Sequence, residues 1–189
     1  MANIILASNS PRRSELLKSL TIDFSVRQYD FVEHFPTTLS SEKVARFLAE
    51  NKAKQVDQLK EDEIVITSDT VVILDNKIIG KPKNRSEAIQ TLESLSNCSH
   101  KVMTGVCIKS LSKQISFDDT TTVFFKALSK KEIIFYIDQF SPYDKAGSYG
   151  IQEWIGLIGI KRIEGSYFNV MGLPVHKVYE NLQKFQIIM

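Results

Sequence analysis

The segment from Ser8 to Arg13 combines residue types that bind anions at the start of a helix. A short apolar strand, Asn3 to Ala7, comes before it, and Ser10 is a favourable N-cap residue. A first helical turn presents unpaired backbone N–H groups and the positive end of the helix dipole, and Arg12 and Arg13 add planar guanidinium groups that grip phosphate oxygens. The alternative is an ordinary N-cap followed by two solvated arginines, and the motif alone leaves both interpretations open.

Asp69 interrupts a β-rich run, Ile64 to Leu74, between Ser68 and Thr70. For the residue alone, the favoured interpretation is a strand end or bulge where the carboxylate accepts backbone hydrogen bonds. Held at a strand terminus in a cleft, it could instead orient or deprotonate a water or bind a divalent metal. Glu33 is most simply a surface residue, but near Asp69 it would be a second carboxylate for Mg²⁺ or Mn²⁺.

Two lysines and one glycine-bearing loop could complete a nucleotide site. Lys52 lies inside the apolar stripe of a predicted helix, where it could extend to solvent or neutralise phosphate charge. Lys81 stands between a glycine and a proline, so its backbone is constrained. The segment from Asp144 to Gln152 has small residues that let a ligand approach, and the Gln152 amide could read a base edge. The alternative is an ordinary glycine-bearing loop.

Hydrophobic periodicity and turn signals predict the elements that must position these residues. Helices alternate with strands, and several strands are predicted to pair as hairpins, which indicates an α/β fold with a mixed sheet flanked by helices. The predicted strands are Asn3 to Ala7, Phe24 to Tyr29, Ile64 to Leu74, Ile78 to Ile79, His100 to Lys109, Ser116 to Lys126, and a hairpin of Ile158 to Ile163 with Tyr167 to Met171. The predicted helices are Pro11 to Leu20, Ser41 to Leu59, Ser86 to Leu95, one from the capping box Ser129-Lys130-Lys131-Glu132 to Phe140, and one that begins at Pro174.

Composition excludes several classes of protein. Lys and Arg number 24 against 22 Asp and Glu, so the chain lacks the basic excess of a nucleic-acid-binding protein. No apolar stretch approaches the roughly 20 residues of a membrane span. Cys98 and Cys107 are too few for a disulfide framework, which favours a reduced, cytoplasmic setting. The chain has no P-loop, no Gly-x-Gly-x-x-Gly, no Gly-x-Ser-x-Gly and no histidine cluster.

Taken together, these segments resemble the Maf family, also called septum-formation-inhibitor proteins. Single motifs of this kind are weak, but the set occurs in the family's order and spans nearly the whole chain. The matching segments are Leu6-Ala7-Ser8-Asn9-Ser10-Pro11-Arg12-Arg13 with Glu15-Leu16-Leu17, Lys52-Ala53, Ser68-Asp69-Thr70-Val71-Val72, Gly80-Lys81-Pro82, His100-Lys101-Val102-Met103-Thr104-Gly105, Asp144-Lys145-Ala146-Gly147 through Gln152, and Gly172-Leu173-Pro174.

The resemblance implies one domain over residues 1–189, elongated, with two lobes around a deep cleft, similar to the inosine triphosphate pyrophosphatases. It implies hydrolysis of a nucleoside triphosphate to the monophosphate and pyrophosphate with a divalent cation, and a homodimer is plausible on the same basis. The family's proton acceptor falls on Asp69. Its phosphate- and metal-binding residues fall on Ser8, Arg13, Lys52 and Lys81 for phosphate, and on Glu33 and Asp69 for metal.

The resemblance also bears on the substrate. The subgroup that acts on dTTP and UTP is similar to this chain at Arg12, Thr70 and Gln152, whereas the 7-methyl-GTP subgroup has an aromatic residue, Gln and Glu at those places. Many members carry Gly after that Gln, but here Glu153 and Trp154 follow. Trp154 could stack on a base or fill the core, and we expect it in the core.

Two other functions stay open at this point. One is a nucleotide-binding regulator of septum formation that acts through a protein partner without cleaving the nucleotide. The other is a house-cleaning pyrophosphatase for modified pyrimidine nucleotides, with dTTP and UTP as proxies.

Overall fold

A computed structural model describes residues 3–185 as a mixed β-sheet with helices packed on it. Within these residues the strands are β1 (Asn3–Ala7), β2 (Phe24–Arg27), β3 (Glu63–Leu74), β4 (Lys77–Ile79), β5 (Ser99–Lys109), β6 (Gln114–Phe125) and β7 (Ile160–Glu164). These seven strands pair in the order β2-β1-β3-β5-β6-β7, and β4 pairs with β3. The predicted mixed α/β class is therefore confirmed.

Parallel and antiparallel pairings coexist in this sheet. β1 is parallel to β2 and to β3, with Ile4 opposite Phe24 on one side and Ile64 on the other. β3 turns back on β4 through Asp75 and Asn76, whose positive φ angles of 49° and 62° suit the predicted hairpin turn. β6 and β7 are also antiparallel.

The helices are α1 (Pro11–Lys18), α2 (Ser41–Gln55), α3 (Arg85–Leu95), α4 (Lys130–Phe140), α5 (Trp154–Gly159), α6 (Tyr167–Met171) and α7 (Val175–Gln183). The predicted helices begin close to the predicted residues, but α2 ends at Gln55 and not at Leu59, and α5 was not predicted. Asn84 caps α3 by accepting the Glu87 N–H, and the predicted capping box of Ser129 with Glu132 opens α4. No helix in the described part of the chain has the length and apolar character of a membrane span.

The described chain divides into two compact units. The first comprises residues 3–69, 104–119 and 172–185, and the second comprises Thr70–Met103 and Thr120–Met171. The single domain with two lobes stays a prediction.

In the first unit, α2 packs closely on β5 through small residues. Ala49 and Ala53, one helical turn apart, are fully buried against Cys107. Gly105 lies on the same strand, and a Cβ added there would overlap the backbone of Ala45. This close approach fixes the helix that carries Lys52.

In the second unit, a core of apolar side chains surrounds Tyr136, which is fully buried. His100 is buried in this unit, where its ring stacks on Phe125 and its Nε2 lies 2.7 Å from the Tyr149 hydroxyl. Trp154 is partly buried against the same core and contacts Phe135 edge to face. Trp154 therefore packs on the core, as expected, while part of its ring stays exposed.

Two predictions of local structure are wrong. The strand predicted at Tyr167–Met171 is helix α6, because the Ser166 hydroxyl accepts the Asn169 N–H and caps it. The Asn169 side chain then donates to Val102 O at 3.0 Å, which holds the turn in place. In addition, β3 continues through Asp69, which therefore does not lie at a strand terminus.

Candidate active site

Lys52 joins two acids in the first unit. Its Nζ lies 2.6 Å from Asp69 Oδ1 and 2.7 Å from Glu33 Oε1, and only 7% of its side chain is exposed. Lys52 Nζ also lies 3.5 Å from Ser68 O, a further acceptor. The lysine on the apolar stripe is therefore turned toward the predicted acids instead of extending to solvent.

Asp69 is held rigidly because its neighbours on both sides belong to β3. Its side chain is 13% exposed, and its charge is balanced by Lys52, which explains why a carboxylate is tolerated within an otherwise buried strand. Within the described chain, the buried Ser68 hydroxyl beside it has no hydrogen-bond partner.

Glu33 is positioned by α2, although it lies on an irregular segment. The Gln55 side chain accepts the Val32 N–H at 2.9 Å and donates to Val32 O at 3.1 Å, which fixes the backbone beside Glu33. The Phe31 ring lies 6.0 Å from Lys52 Nζ. Glu33 itself is 48% exposed, so it can exchange Lys52 for another cation at little desolvation cost.

Arg13 contributes a second cation to this group. Its Nε donates to Gly172 O at 2.9 Å, a contact across 159 residues. Burial lowers the pKa of its guanidinium below the ordinary value, the charge of Arg12 lowers it further, and Asp69 and Glu33 oppose the shift. Arg13 nevertheless stays a cation, because an arginine is effectively always protonated.

Ser8 and Ser10 lie at the junction of β1 and α1. Ser8 is buried, and its hydroxyl accepts the Ser10 N–H at 3.2 Å. Ser10 is the N-cap residue as predicted, but its side chain makes no capping hydrogen bond within the described structure. The junction is therefore ordered by Ser8, which sequence reasoning assigned only to phosphate.

The second unit carries Thr70, Lys81 and Gln152. The Gly147 N–H donates to Gly80 O at 3.2 Å, so the segment bearing Lys81 is bonded to the loop that leads to Gln152. Lys81 is exposed, while Thr70 and Gln152 are partly buried. A shared binding function of these residues with Asp69 stays a prediction.

A polar network around Glu153 was missed by sequence reasoning. Glu153 accepts a hydrogen bond from the Tyr136 hydroxyl, and the Lys145 ammonium lies 3.1 Å from its other oxygen. The departure from Gly at position 153 was the available signal, but the sequence does not show that Tyr136 and Lys145 reach it.

The predicted metal ligands are two carboxylates, Glu33 and Asp69. Among the residues that the structure describes, no group of three or more His, Cys, Asp or Glu side chains could hold a metal. Glu33 and Asp69 nevertheless share one cation, Lys52, and two carboxylates suit Mg²⁺, which takes one or two protein carboxylates together with substrate phosphates and waters. The residues present therefore fit a substrate-linked divalent cation.

Comparisons with known proteins find close relatives of the chain and solved structures of similar fold. A dTTP/UTP pyrophosphatase of Flavobacterium johnsoniae is 50% identical over 180 residues, which covers 95% of this chain and 93% of that protein. A dTTP/UTP pyrophosphatase of Bacteroides thetaiotaomicron is 46% identical over 183 residues, covering 96% and 95%. The fold is similar to that of a HAM1 protein from Coxiella burnetii, with a TM-score of 0.52, 16% identity, and coverage of 97% of this chain and 100% of that one.

A second solved structure, the Ham1 protein of Staphylococcus aureus, gives a TM-score of 0.51 at 18% identity, with coverage of 96% and 98%. These two likenesses concern the fold. The model of the Maf-like protein family matches residues 3–185. Together with relatives about half identical over nearly their whole length, this match shows that the chain belongs to the Maf family.

Proposed function

We propose that this protein is a nucleoside triphosphate pyrophosphatase that hydrolyses dTTP and UTP to the monophosphate and pyrophosphate. The observation that carries the proposal is the pairing of Lys52 with both Asp69 and Glu33 beside the cationic Arg13. The names of relatives about half identical to the chain support the same reaction and substrates.

The reaction needs charge neutralisation and an aligned water. A triphosphate carries about four negative charges near neutral pH, and phosphoryl-type transfer depends on positioning and electrostatics more than on covalent chemistry. Arg13, Lys52 and Lys81 supply positive charge for the phosphates, and Ser8 supplies a hydroxyl donor. Asp69 accepts a proton from the attacking water while the water oxygen forms a bond to the α-phosphorus. The bond between the α-phosphorus and the bridging oxygen breaks, and pyrophosphate leaves with that oxygen.

Lys52 has a second role in this scheme. Its ammonium orients the Asp69 carboxylate before the substrate arrives, because Lys52 Nζ already lies 2.6 Å from Asp69 Oδ1. Arg13 Nε donates to Gly172 O, and this backbone contact fixes the orientation of the guanidinium group. Both cations are thus organised before binding, which reduces the reorganisation needed for catalysis.

Glu33 and Asp69 are the residues that would hold Mg²⁺ or Mn²⁺. Such an ion would neutralise phosphate charge and orient the substrate. The protein itself contributes two carboxylates, those of the exposed Glu33 and of Asp69 within β3.

Arg12, Thr70 and Gln152 are proposed to select the pyrimidine base. The support is their match to the dTTP/UTP subgroup and the donor and acceptor pair of the Gln152 amide. A cytoplasmic location is also proposed, and it accords with the free thiols of Cys98 and Cys107.

The test is an assay of the purified protein on UTP, dTTP, CTP, ATP, GTP and methylated pyrimidine triphosphates with Mg²⁺ or Mn²⁺. We expect the monophosphate and pyrophosphate from UTP and dTTP, and loss of activity when the cation is chelated. Release of inorganic phosphate, or binding of UTP without cleavage, would contradict the proposal, and the second outcome would favour a nucleotide-binding regulator. Faster turnover of methylated pyrimidines would assign the enzyme to modified nucleotides, and light scattering would show whether it is a homodimer.

A further inference from the structure

Largely buried polar side chains hold the segment that carries Gln152 through hydrogen bonds and an ion pair. We propose that Glu153 is a positioning residue for base selection, which fixes the Gln152 backbone through Tyr136 and Lys145. The inference rests on the proposed function, since it assigns to Gln152 the reading of a pyrimidine.

Tyr136 connects the two ends of this segment. Its hydroxyl donates to Glu153 Oε2 and accepts the Gly150 N–H at 3.0 Å. Burial and the charge of Glu153 raise the pKa of the phenol, which therefore stays protonated and remains the donor. One side chain from the core thus holds the residues on both sides of Ile151 and Gln152.

Lys145 holds the other carboxylate oxygen. Its Nζ lies 3.1 Å from Glu153 Oε1 and 2.7 Å from Asp144 Oδ1, and its side chain is 10% exposed. Glu153 is 19% exposed. Burial of a lysine and a glutamate has a desolvation cost, which only close pairing and further hydrogen bonds offset. The pair therefore indicates a structural role and not one in solubility alone.

Close packing and a backbone hydrogen bond connect this segment to Glu153 and to α5. A Cβ on Gly150 would lie 2.7 Å from the carboxyl carbon of Glu153, and the Glu153 N–H donates to Gly150 O at 3.0 Å. A Cβ on Gly156 would overlap the carbonyl of Ile151. The backbone on either side of Gln152 is therefore positioned by its contacts with Glu153 and with the first turn of α5.

The consequence for recognition is specific. If Gln152 contacts the base equally in the bound substrate and in the transition state, loosening it weakens binding without changing turnover. Loss of the anchor should therefore raise KM for pyrimidine triphosphates and leave kcat nearly unchanged. A purine triphosphate that Gln152 does not recognise should be affected less.

The experiment compares Glu153→Ala, Glu153→Gln and Tyr136→Phe with the wild type, using UTP and ATP. Asp138→Asn is the matched control, because Asp138 is a carboxylate on the same helix as Tyr136 but forms an exposed pair with Arg85. We expect Glu153→Ala to raise KM for UTP by roughly 10-fold with kcat within about twofold, since about 10-fold in affinity corresponds to the loss of one hydrogen bond to the base. Glu153→Gln keeps an acceptor for Tyr136 and should recover part of the loss.

The outcomes separate this inference from the proposed function. A wild type without preference for UTP over ATP contradicts the proposed function itself. The positioning role is overturned if the wild type prefers UTP but Glu153→Ala and Tyr136→Phe both keep the wild-type KM for UTP. Parallel losses for UTP and ATP that follow the folded fraction, measured by circular dichroism, also overturn it. Should Glu153→Ala fail to fold, the KM of Tyr136→Phe decides.

Discussion

Replacement of Asp69 by Asn separates catalysis from stability. The Asn amide oxygen can still accept from Lys52, whose Nζ lies 2.6 Å from Oδ1, but an ion pair becomes a hydrogen bond between an ammonium and a neutral amide. Hydrogen bonds that involve a charged group contribute about 1.5–3 kcal/mol, and the variant keeps one because the ammonium stays charged, so the free energy of unfolding should fall by no more than about 1–2 kcal/mol. Glu33 still pairs with Lys52, so the ammonium is not left without an anion.

This loss of stability is too small to explain a loss of activity. A domain with 5–15 kcal/mol of stability stays more than about 99% folded after losing about 2 kcal/mol. The melting temperature should fall by about 2–8 °C, at about 2–4 °C per kcal/mol for a chain of this size. Removal of the proton acceptor should instead lower kcat by about 10²–10⁴-fold, equivalent to about 3–5 kcal/mol of barrier.

The assay measures pyrophosphate release from UTP at saturating substrate, together with thermal unfolding of the same samples. Asp138→Asn is the control, because its exposed, bidentate pair with Arg85 lies outside the candidate site and should contribute nothing to turnover. A folded Asp69→Asn variant that retains more than about a tenth of wild-type kcat would refute the assignment of Asp69 as proton acceptor.

Two further predictions concern stability. Burial lowers the pKa of His100 from 6.5 to about 4, so the unfolded chain binds the proton first as the pH falls. Stability should therefore decrease from about pH 6.5 to about pH 4 by up to roughly 3 kcal/mol, and urea unfolding of His100→Gln should show a flatter pH dependence; parallel curves would contradict this. Gly105→Ala should destabilise by about 3 kcal/mol or more because its Cβ would overlap the Ala45 backbone, whereas a Cβ on Gly80 meets nothing within 4 Å. Equal chemical-denaturation midpoints for Gly105→Ala and Gly80→Ala would show that the helix can shift away from the strand.

Much of the local structure could be predicted from the sequence because its causes are local. The hairpin at Asp75 and Asn76 and the capping box of Ser129 with Glu132 depend on neighbours within a few residues, and both are confirmed. The helical identity of Tyr167–Met171 was missed because aromatic and β-branched residues favour strands, while the opposing signal was a single serine cap.

The sequence by itself proposed which charged residues could form the candidate site. Lys52 on an apolar helix face and Asp69 within a β-rich run are local anomalies, and each can be recognised from periodicity. The ordered motifs then identified the family without any coordinates.

Only the tertiary structure decided which of these charges meet. Lys52 pairs with Asp69 and Glu33 because the close approach of α2 to β5 at Gly105 fixes the helix that carries it. Arg13 is held by a carbonyl 159 residues away. Electrostatic energy depends on distance and burial, and for residues distant in the chain both are set by packing, which the residue types do not specify.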